Sequence, residues 1–271
     1  MKTILKWLLV LCFGLEFATA APIFESVTAF QAGPLVPENG TLLKHTNGFF
    51  YGTSRAGGAY GNGCLYRVNT AGEVSALAHF TGNTGPARGR RPQASLVDDG
   101  TGVLWGTTFS GGTGNSGDGF GTIFKFNPVS GDLTSVVQFT GSSGFAKGSF
   151  PQTALVRDGA GQLWGTTFAG GFGGNGTVFR VNPINLVFSK VLDFTGTAGG
   201  NRGKNPLGAM VHNGAGTLWG TTSDGGTGNN GTLFSITTTT GTLTTQVDFT
   251  GAAGAFPGSR PAAALAVGQG G

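Results

Sequence analysis

From residue 41 onward, short runs of apolar and β-branched residues alternate with clusters of glycine, asparagine and proline, and the alternation repeats in register. Phe50-Tyr51-Gly52-Thr53 returns as Leu104-Trp105-Gly106-Thr107, Leu163-Trp164-Gly165-Thr166 and Leu218-Trp219-Gly220-Thr221, with glycine spacings of 54, 59 and 55. Gly63-Cys64-Leu65-Tyr66 returns as Gly121-Thr122-Ile123-Phe124, Gly176-Thr177-Val178-Phe179 and Gly231-Thr232-Leu233-Phe234. His79-Phe80-Thr81-Gly82 returns at Phe139, Phe194 and Phe249, and a proline at Pro92, Pro151, Pro206 and Pro261. Markers sharing one register define a duplicated structural unit.

Each copy predicts four strands. In the third they are residues 153–156 (A), 162–168 (B), 177–181 (C) and 189–195 (D), separated by Asp158-Gly159-Ala160-Gly161, by a glycine loop over 170–176 and by Asn182-Pro183. Short β-branched and aromatic runs bounded by turn residues are the signature of an all-β fold. Four strands per repeat predict a β-propeller of about four four-stranded blades, with a β-solenoid of stacked sheets as the alternative. Strand A carries small residues, Ala94, Ser95, Ala154, Gly208, Ala209, Ala263 and Ala264, which suits the crowded axis. The repeat markers Trp105, Trp164 and Trp219 on B, and Phe80, Phe139, Phe194 and Phe249 after D, are expected to fill the space between blades.

The domain is read as residues 21–271, with repeats at about 41–82, 92–141, 151–196 and 206–251 and partial terminal strands at 24–31, resembling a lone D, and 261–267, resembling a lone A. Residues 1–20 have the anatomy of a signal peptide: Lys2 and Lys6, an apolar run, then Ala18-Thr19-Ala20. This predicts a secreted or extracytoplasmic protein without membrane insertion after cleavage. Removing that segment leaves 14 basic and 11 acidic residues of the 16 and 12 in the whole chain, too mild an excess to indicate nucleic acid. Cys64 then has no cysteine to pair with. Glycine supplies 53 of 271 residues and charged side chains only 10%, which favours many strands joined by tight turns.

One recurring element suggests binding chemistry. The D–A linkers carry Arg88, Arg90 and Arg91, then Lys147, then Arg202 and Lys204, then Arg260. Propeller symmetry would set these cations in a ring around one mouth, able to hold an anionic glycan or phosphate. A second recurring charge lies in strand C, at Arg67, Lys125 and Arg180, and Arg180 is expected to pair with Asp193 across the C–D ladder. Asn39-Gly40-Thr41, Asn175-Gly176-Thr177 and Asn230-Gly231-Thr232 read as Asn-Gly hairpin turns rather than glycosylation sites. The loop at 111–119 resembles a calcium-binding nonapeptide but provides few carboxylates, and the histidines lack zinc spacing. No metal, cofactor or catalytic residue is predicted.

The run Leu-Trp-Gly-Thr-Thr, Gly-Gly, Gly-Thr-Val-Phe, Asp-Phe-Thr-Gly resembles the bacterial GloVer-type extracellular tandem repeat, over nearly all of 41–266. The resemblance implies a secreted or surface protein without known catalytic residues. The ending Gly268-Gln269-Gly270-Gly271 lacks the anchoring segment common in that family and favours release. The expected function is a binding or scaffold module presenting repeated loops to a glycan or surface protein. The alternatives are a polysaccharide lyase or hydrolase at the central mouth, drawing on Asp98, Asp99, Asp158 or Asp224, and a purely structural envelope component.

Overall fold

The computed structural model describes residues 40–114 and 117–268; the expected signal peptide and the terminal strand at 24–31 lie outside them. Among the described residues there are seventeen strands, and the only helical turn is the 3-10 turn Phe172–Gly174. The first blade comprises β1 (Leu43–Lys44), β2 (Phe50–Ser54), β3 (Cys64–Val68) and β4 (Val74–His79). After the linker strand β5 (Arg90–Pro92), the second comprises β6 (Val97–Asp98), β7 (Leu104–Ser110), β8 (Thr122–Phe126) and β9 (Leu133–Gln138). The third comprises β10 (Val156–Arg157), β11 (Leu163–Thr167), β12 (Thr177–Val181) and β13 (Phe188–Asp193). The fourth comprises β14 (Val211–His212), β15 (Thr217–Thr222), β16 (Thr232–Thr237) and β17 (Leu243–Asp248). Every blade is an antiparallel meander in chain order, and β5 adds a fifth member to the second sheet beside β7. The fold is a β-propeller, not a solenoid.

The cores lie between blades rather than within them. One unites Tyr51, Leu65, Phe80 and Ala87 of the first blade and its linker with Leu96, Leu104, Phe124, Phe126 and Leu133 of the second. Trp105, Ile123, Val137 and Phe139 meet Leu155, Leu163, Phe179, Val181 and Phe188 in the same way. Trp164, Val178, Leu192 and Phe194 meet Met210, Leu218, Phe234, Ile236 and Leu243. At each joint the phenylalanine after one outer strand packs on a ring of the next blade's third strand: Phe80 on Phe124 at 4.9 Å between ring centroids, Phe139 on Phe179 at 5.2 Å, Phe194 on Phe234 at 5.3 Å. Tilted and edge-to-face pairs at this spacing add stabilisation beyond their buried area.

Two local devices make this contact possible. A β-bulge interrupts the pairing of third and outer strands just before the third-strand ring in every blade, at Leu65/Tyr66, Ile123/Phe124, Val178/Phe179 and Leu233/Phe234. The extra residue strengthens the local twist and re-aims the ring. The glycine of the Trp-Gly-Thr motif then clears room for it. A Cβ on Gly106 would stand 2.5 Å from Phe124 Cζ and 3.0 Å from Leu96 Cδ2, and Gly52, Gly165 and Gly220 sit against Tyr66, Phe179 and Phe234 in the same manner.

Three expectations are corrected. Strand A shrinks to a two-residue ladder, Val156–Arg157 in the third blade, because the small residues before it line the axis instead of pairing. No strand forms at 261–268, although Ala262, Ala263 and Ala264 still reach the axis. The Asn-Gly pairs at 175–176 and 230–231 are not two-residue hairpins of the mirror-image type, which need positive φ at both residues, and Asn39 lies outside the described residues. Asn175 sits at φ −86°, and only Gly176 is positive, at +96°.

Burial falls at both ends of the array. Trp105 and Trp164 are fully buried but Trp219 is half-buried; Phe80, Phe139 and Phe194 are buried but Phe249 is half-buried. Leu42 is 46% exposed where its counterparts Leu96, Leu155 and Met210 are buried.

Replacing Gly106 with alanine should destabilise the protein by about 1–3 kcal/mol, the usual cost of overpacking a core. Chemical denaturation checks it, and the exposed Gly200, which has open space around it and no left-handed backbone, provides the neutral position for comparison.

Candidate functional site

The linkers that carry the predicted cations are built by backbone geometry common to all four copies. The residue before each proline, Arg91, Phe150, Asn205 or Arg260, adopts a left-handed conformation with φ between 54° and 59°. That region is costly for a side-chain-bearing residue, and more so before proline. It is held because each N–H donates to a carbonyl in the loop after the preceding blade's second strand: Arg91 to Asn62, Phe150 to Phe120, Asn205 to Asn175 and Arg260 to Asn230. The following proline ring then rests on the glycine that opens a third strand. Gly121, at φ +94°, leaves space for Pro151 Cδ, which would lie 2.7 Å from an added Cβ.

Linkers and second-to-third-strand loops therefore share one face. Lys204 and Asp224 exchange backbone hydrogen bonds of 2.8 and 3.0 Å, and Arg90 Nη1 reaches Asp118 Oδ1 at 2.8 Å. The seven predicted cations have different fates on that face. Arg88 donates to Gln138 Oε1 at 3.1 Å, and Arg202 pairs with Asp248 at 2.9 Å, each bracing the next blade's outer strand. Arg90 is engaged with Asp118, and Lys147 is half-buried. Arg91 and Lys204 are exposed, and the Arg260 side chain is 76% exposed with Asp224 at 3.9 Å. Arg91, Lys204 and Arg260 are thus the members that present charge to solvent.

The axis holds a cavity of about 570 Å³. Its wall is made of five successive inner segments: Thr41, Gln93–Ser95, Gln152–Ala154, Leu207–Ala209 and Ala262–Ala264. Hydroxyl, amide and methyl groups line it, with no ionisable side chain among the described residues. General acid–base catalysis needs a group that titrates near the working pH.

The aspartates considered as catalytic candidates are committed elsewhere. Asp158 Oδ1 accepts from the N–H groups of Ala160 and Gln162, while Oδ2 accepts from Trp164 Nε1 at 2.7 Å. Asp99 does the same for Thr101 and for Trp105 Nε1, at 3.0 Å. Asp98 caps Gly100 and Gly102 and stands 3.6 Å from His45. Sequence spacing held a signal for this role, an aspartate six residues before each fully buried tryptophan. In the first blade Asn47 donates to Tyr51 Oη at 2.8 Å, so donor and acceptor have exchanged sides.

The expected Arg180–Asp193 pair does not form. The turn at 182–187 sets Arg180 opposite Ser189 and Asp193 opposite Thr177. Arg180 instead lies 5.5 Å from the Trp164 ring, as Arg67 lies 4.3 Å from Phe49, and Asp193 takes Lys190 and the N–H of Phe172. No cluster of three or more histidine, cysteine, aspartate or glutamate side chains exists among the described residues.

A sequence profile built on the same repeat matches residues 37–270. The chain belongs to the Gloeobacter/Verrucomicrobia repeat family. Solved structures similar to this repeat protein include the nidogen/laminin complex, at 10% identity over 87% of this chain and 70% of that one, with a TM-score of 0.51. Virginiamycin B lyase from Staphylococcus aureus is similar at 14% identity over 83% of this chain and 59% of its own, TM-score 0.47. TolB from Acinetobacter baumannii is similar at 14% identity over 76% and 42%, TM-score 0.45. The repeat protein thus spans between 42% and 70% of these chains. At such identities the likeness concerns fold, which does not carry function with it. No curated protein matches it.

Two predictions follow from the buried groups. Asp158→Ala should cost about 1–3 kcal/mol, because it strips a buried indole N–H and two backbone N–H groups of their acceptor; thermal unfolding checks it. Cys64 is fully buried, and burial pushes its thiol from 9.0 up to about 11. Tyr66 is also raised, by burial first and by the Cys64 thiolate second. The folded state thus keeps a proton that the unfolded state releases. The stability this confers is fully present below pH 9 and is lost between pH 9 and 11. Two pKa units correspond to roughly 2–3 kcal/mol. Denaturation at pH 8 and pH 10.5 should show a smaller alkaline loss for Cys64→Ala than for the natural chain.

Proposed function

We propose that this repeat protein is an exported, non-catalytic binding module whose linker face engages an anionic glycan. The observation that carries the reading is the exposure of Arg91, Lys204 and Arg260 on one face, each set on a linker that the backbone holds in the same conformation. Fixed cations reinforce one another at a polyanion without first being ordered, so binding retains more of the Coulomb energy. The uncharged wall of the axial cavity supports binding over turnover, since a lyase or hydrolase at that mouth would need a proton donor and acceptor. The coarser reading, a repeat-based binding or scaffold module, agrees with the family and the propeller fold.

Retention on an immobilised acidic polysaccharide tests the proposal. The natural chain should be retained and elute at rising salt, as screened charge contacts do. The triple variant Arg91→Ser, Lys204→Ser, Arg260→Ser should elute at clearly lower salt, while Arg88→Ser, a bracing residue, should move elution less. Identical elution of natural and triple-variant protein would sink the idea. Depolymerisation of the polysaccharide during the run would favour the enzyme alternative.

A further inference from the structure

The antiparallel meander puts the turns between first and second strands, and those between third and outer strands, on the face opposite the linkers. On that face a cavity of about 420 Å³ lies between the second and third blades. Small-molecule sites have volumes of this order. Lys125, on β8, lines it from the second blade, and Arg157, at the end of β10, from the third. Neither cation makes a hydrogen bond or ion pair with any of the described residues. The Arg157 guanidinium is held in place by packing instead. It crosses the joint to lie on Gly100, where an added Cβ would stand 2.8 Å from Nη2, and it passes Gly161 at 3.6 Å in the same measure.

Asp99 is the third ionisable group of this wall, and both its oxygens are taken. Oδ1 accepts from the N–H and the hydroxyl of Thr101, and Oδ2 accepts from Trp105 Nε1. Two cations and one carboxylate leave the wall one net positive charge (2 − 1 = 1). The Gln162 amide and Asn182 Nδ2 border the same space without a partner among the described residues, and Pro183 and Ile184 add an apolar side.

The neighbouring joints show that the repeat does not impose such a cleft. Between the first and second blades His45 stands in the place of Asp99 and fills the gap: its side chain is 7% exposed, with Nε2 3.1 Å from Gly102 O and 3.6 Å from Asp98, which replaces Arg157. Arg67, in the place of Lys125, lies over Phe49 at 4.3 Å. Between the third and fourth blades Arg180 lies against the Trp164 ring at 5.5 Å, and His212 replaces Arg157. Among the described residues, the second joint alone turns two unpaired cations into one cavity.

We propose that this cleft binds one acidic sugar per chain, with the sugar's carboxylate between Lys125 and Arg157. A single carboxylate neutralises the net charge of the wall, and charge-assisted hydrogen bonds to ammonium and guanidinium are the strong ones. Gln162 and Asn182 offer hydrogen bonds to ring hydroxyls, and Pro183 and Ile184 offer an apolar surface to the C–H face of the ring. The cleft shares no residue with the linker face, so a monosaccharide bound here leaves the reading of that face as it stands.

Isothermal titration calorimetry of the full chain with galacturonate, galactose and acetate tests this, with backbone amide chemical shifts locating the site. Galacturonate should bind at one site per chain, and galactose and acetate at least about ten-fold more weakly. Arg157→Gln and Lys125→Met should each weaken galacturonate binding by roughly 10- to 100-fold, as for loss of a hydrogen bond to a charged group. Arg157 is exposed, so its replacement should leave the unfolding midpoint nearly unchanged. The amides of Gly100, Thr101, Gly161 and Gln162 should shift on titration. No saturable binding of galacturonate, undiminished binding by the double variant, or shifts confined to linker residues 88–91 and 202–204 overturns the proposal. Acetate binding as tightly as galacturonate also overturns it, by leaving the sugar ring without a contact.

Discussion

The contact on which this molecule depends is a phenylalanine following the outer strand of one blade pressed against an aromatic ring on the third strand of the next. A four-stranded sheet with two apolar faces cannot bury either face alone. Each blade is therefore stable only between neighbours, and stability accumulates joint by joint, as in other repeat architectures. The glycine beneath each third-strand ring and the bulge beside it serve this contact. They let a full-sized ring lie flat where two sheets meet, and without them the sheets would stand too far apart for tight packing.

The same logic explains which features were legible in the sequence. The period, the four strands per copy and the inter-blade role of Trp105, Trp164 and the phenylalanines follow from local pattern, because strand alternation and turn chemistry are written in neighbouring residues. Apart from the Asn-Gly turns, where local dihedrals decide, the differences involve register or non-local partners. Strand adjacency alone suggests an Arg180–Asp193 pair, yet the turn between the strands places those residues opposite Ser189 and Thr177. Local pattern suggests a four-residue inner ladder, but the residues ahead of Val156 line the axis and only Val156 and Arg157 pair. The bulge left no compositional mark, since Val136 and Val191 look like ordinary strand residues. The left-handed residue before each proline was hidden because the conformation is imposed by a carbonyl some 30 residues earlier, whatever the side chain.

That last point bears on function. Phe150 occupies the left-handed position in the second linker and stacks on Phe109 at 5.0 Å, Asn205 donates to Phe168 O at 2.9 Å, and Arg91 and Arg260 reach solvent. One backbone frame thus carries an apolar plug, a hydrogen-bond donor and two solvent-exposed cations. A symmetric ring of charge, as duplication alone would leave it, is not what the face presents. Arg88 and Arg202 brace an outer strand, Arg90 meets a loop carboxylate, and the cations at Arg91, Lys204 and Arg260 stay open.

A frame held by main-chain hydrogen bonds tolerates such divergence because the bond common to all four copies is made by the backbone N–H, whatever the side chain. Acid–base catalysis gains little from that freedom, since it needs two titrating groups kept at fixed separation. Recognition of an extended polymer gains more, since charge of one sign spread over several rigid positions adds contacts without demanding that any two be in register. The wall of the axial cavity is likewise free of fixed charge: its five inner segments contribute hydroxyl, amide and aliphatic groups. Divergence has thus been concentrated on the linker face, while the inter-blade rings and the glycines beneath them were held nearly constant from copy to copy.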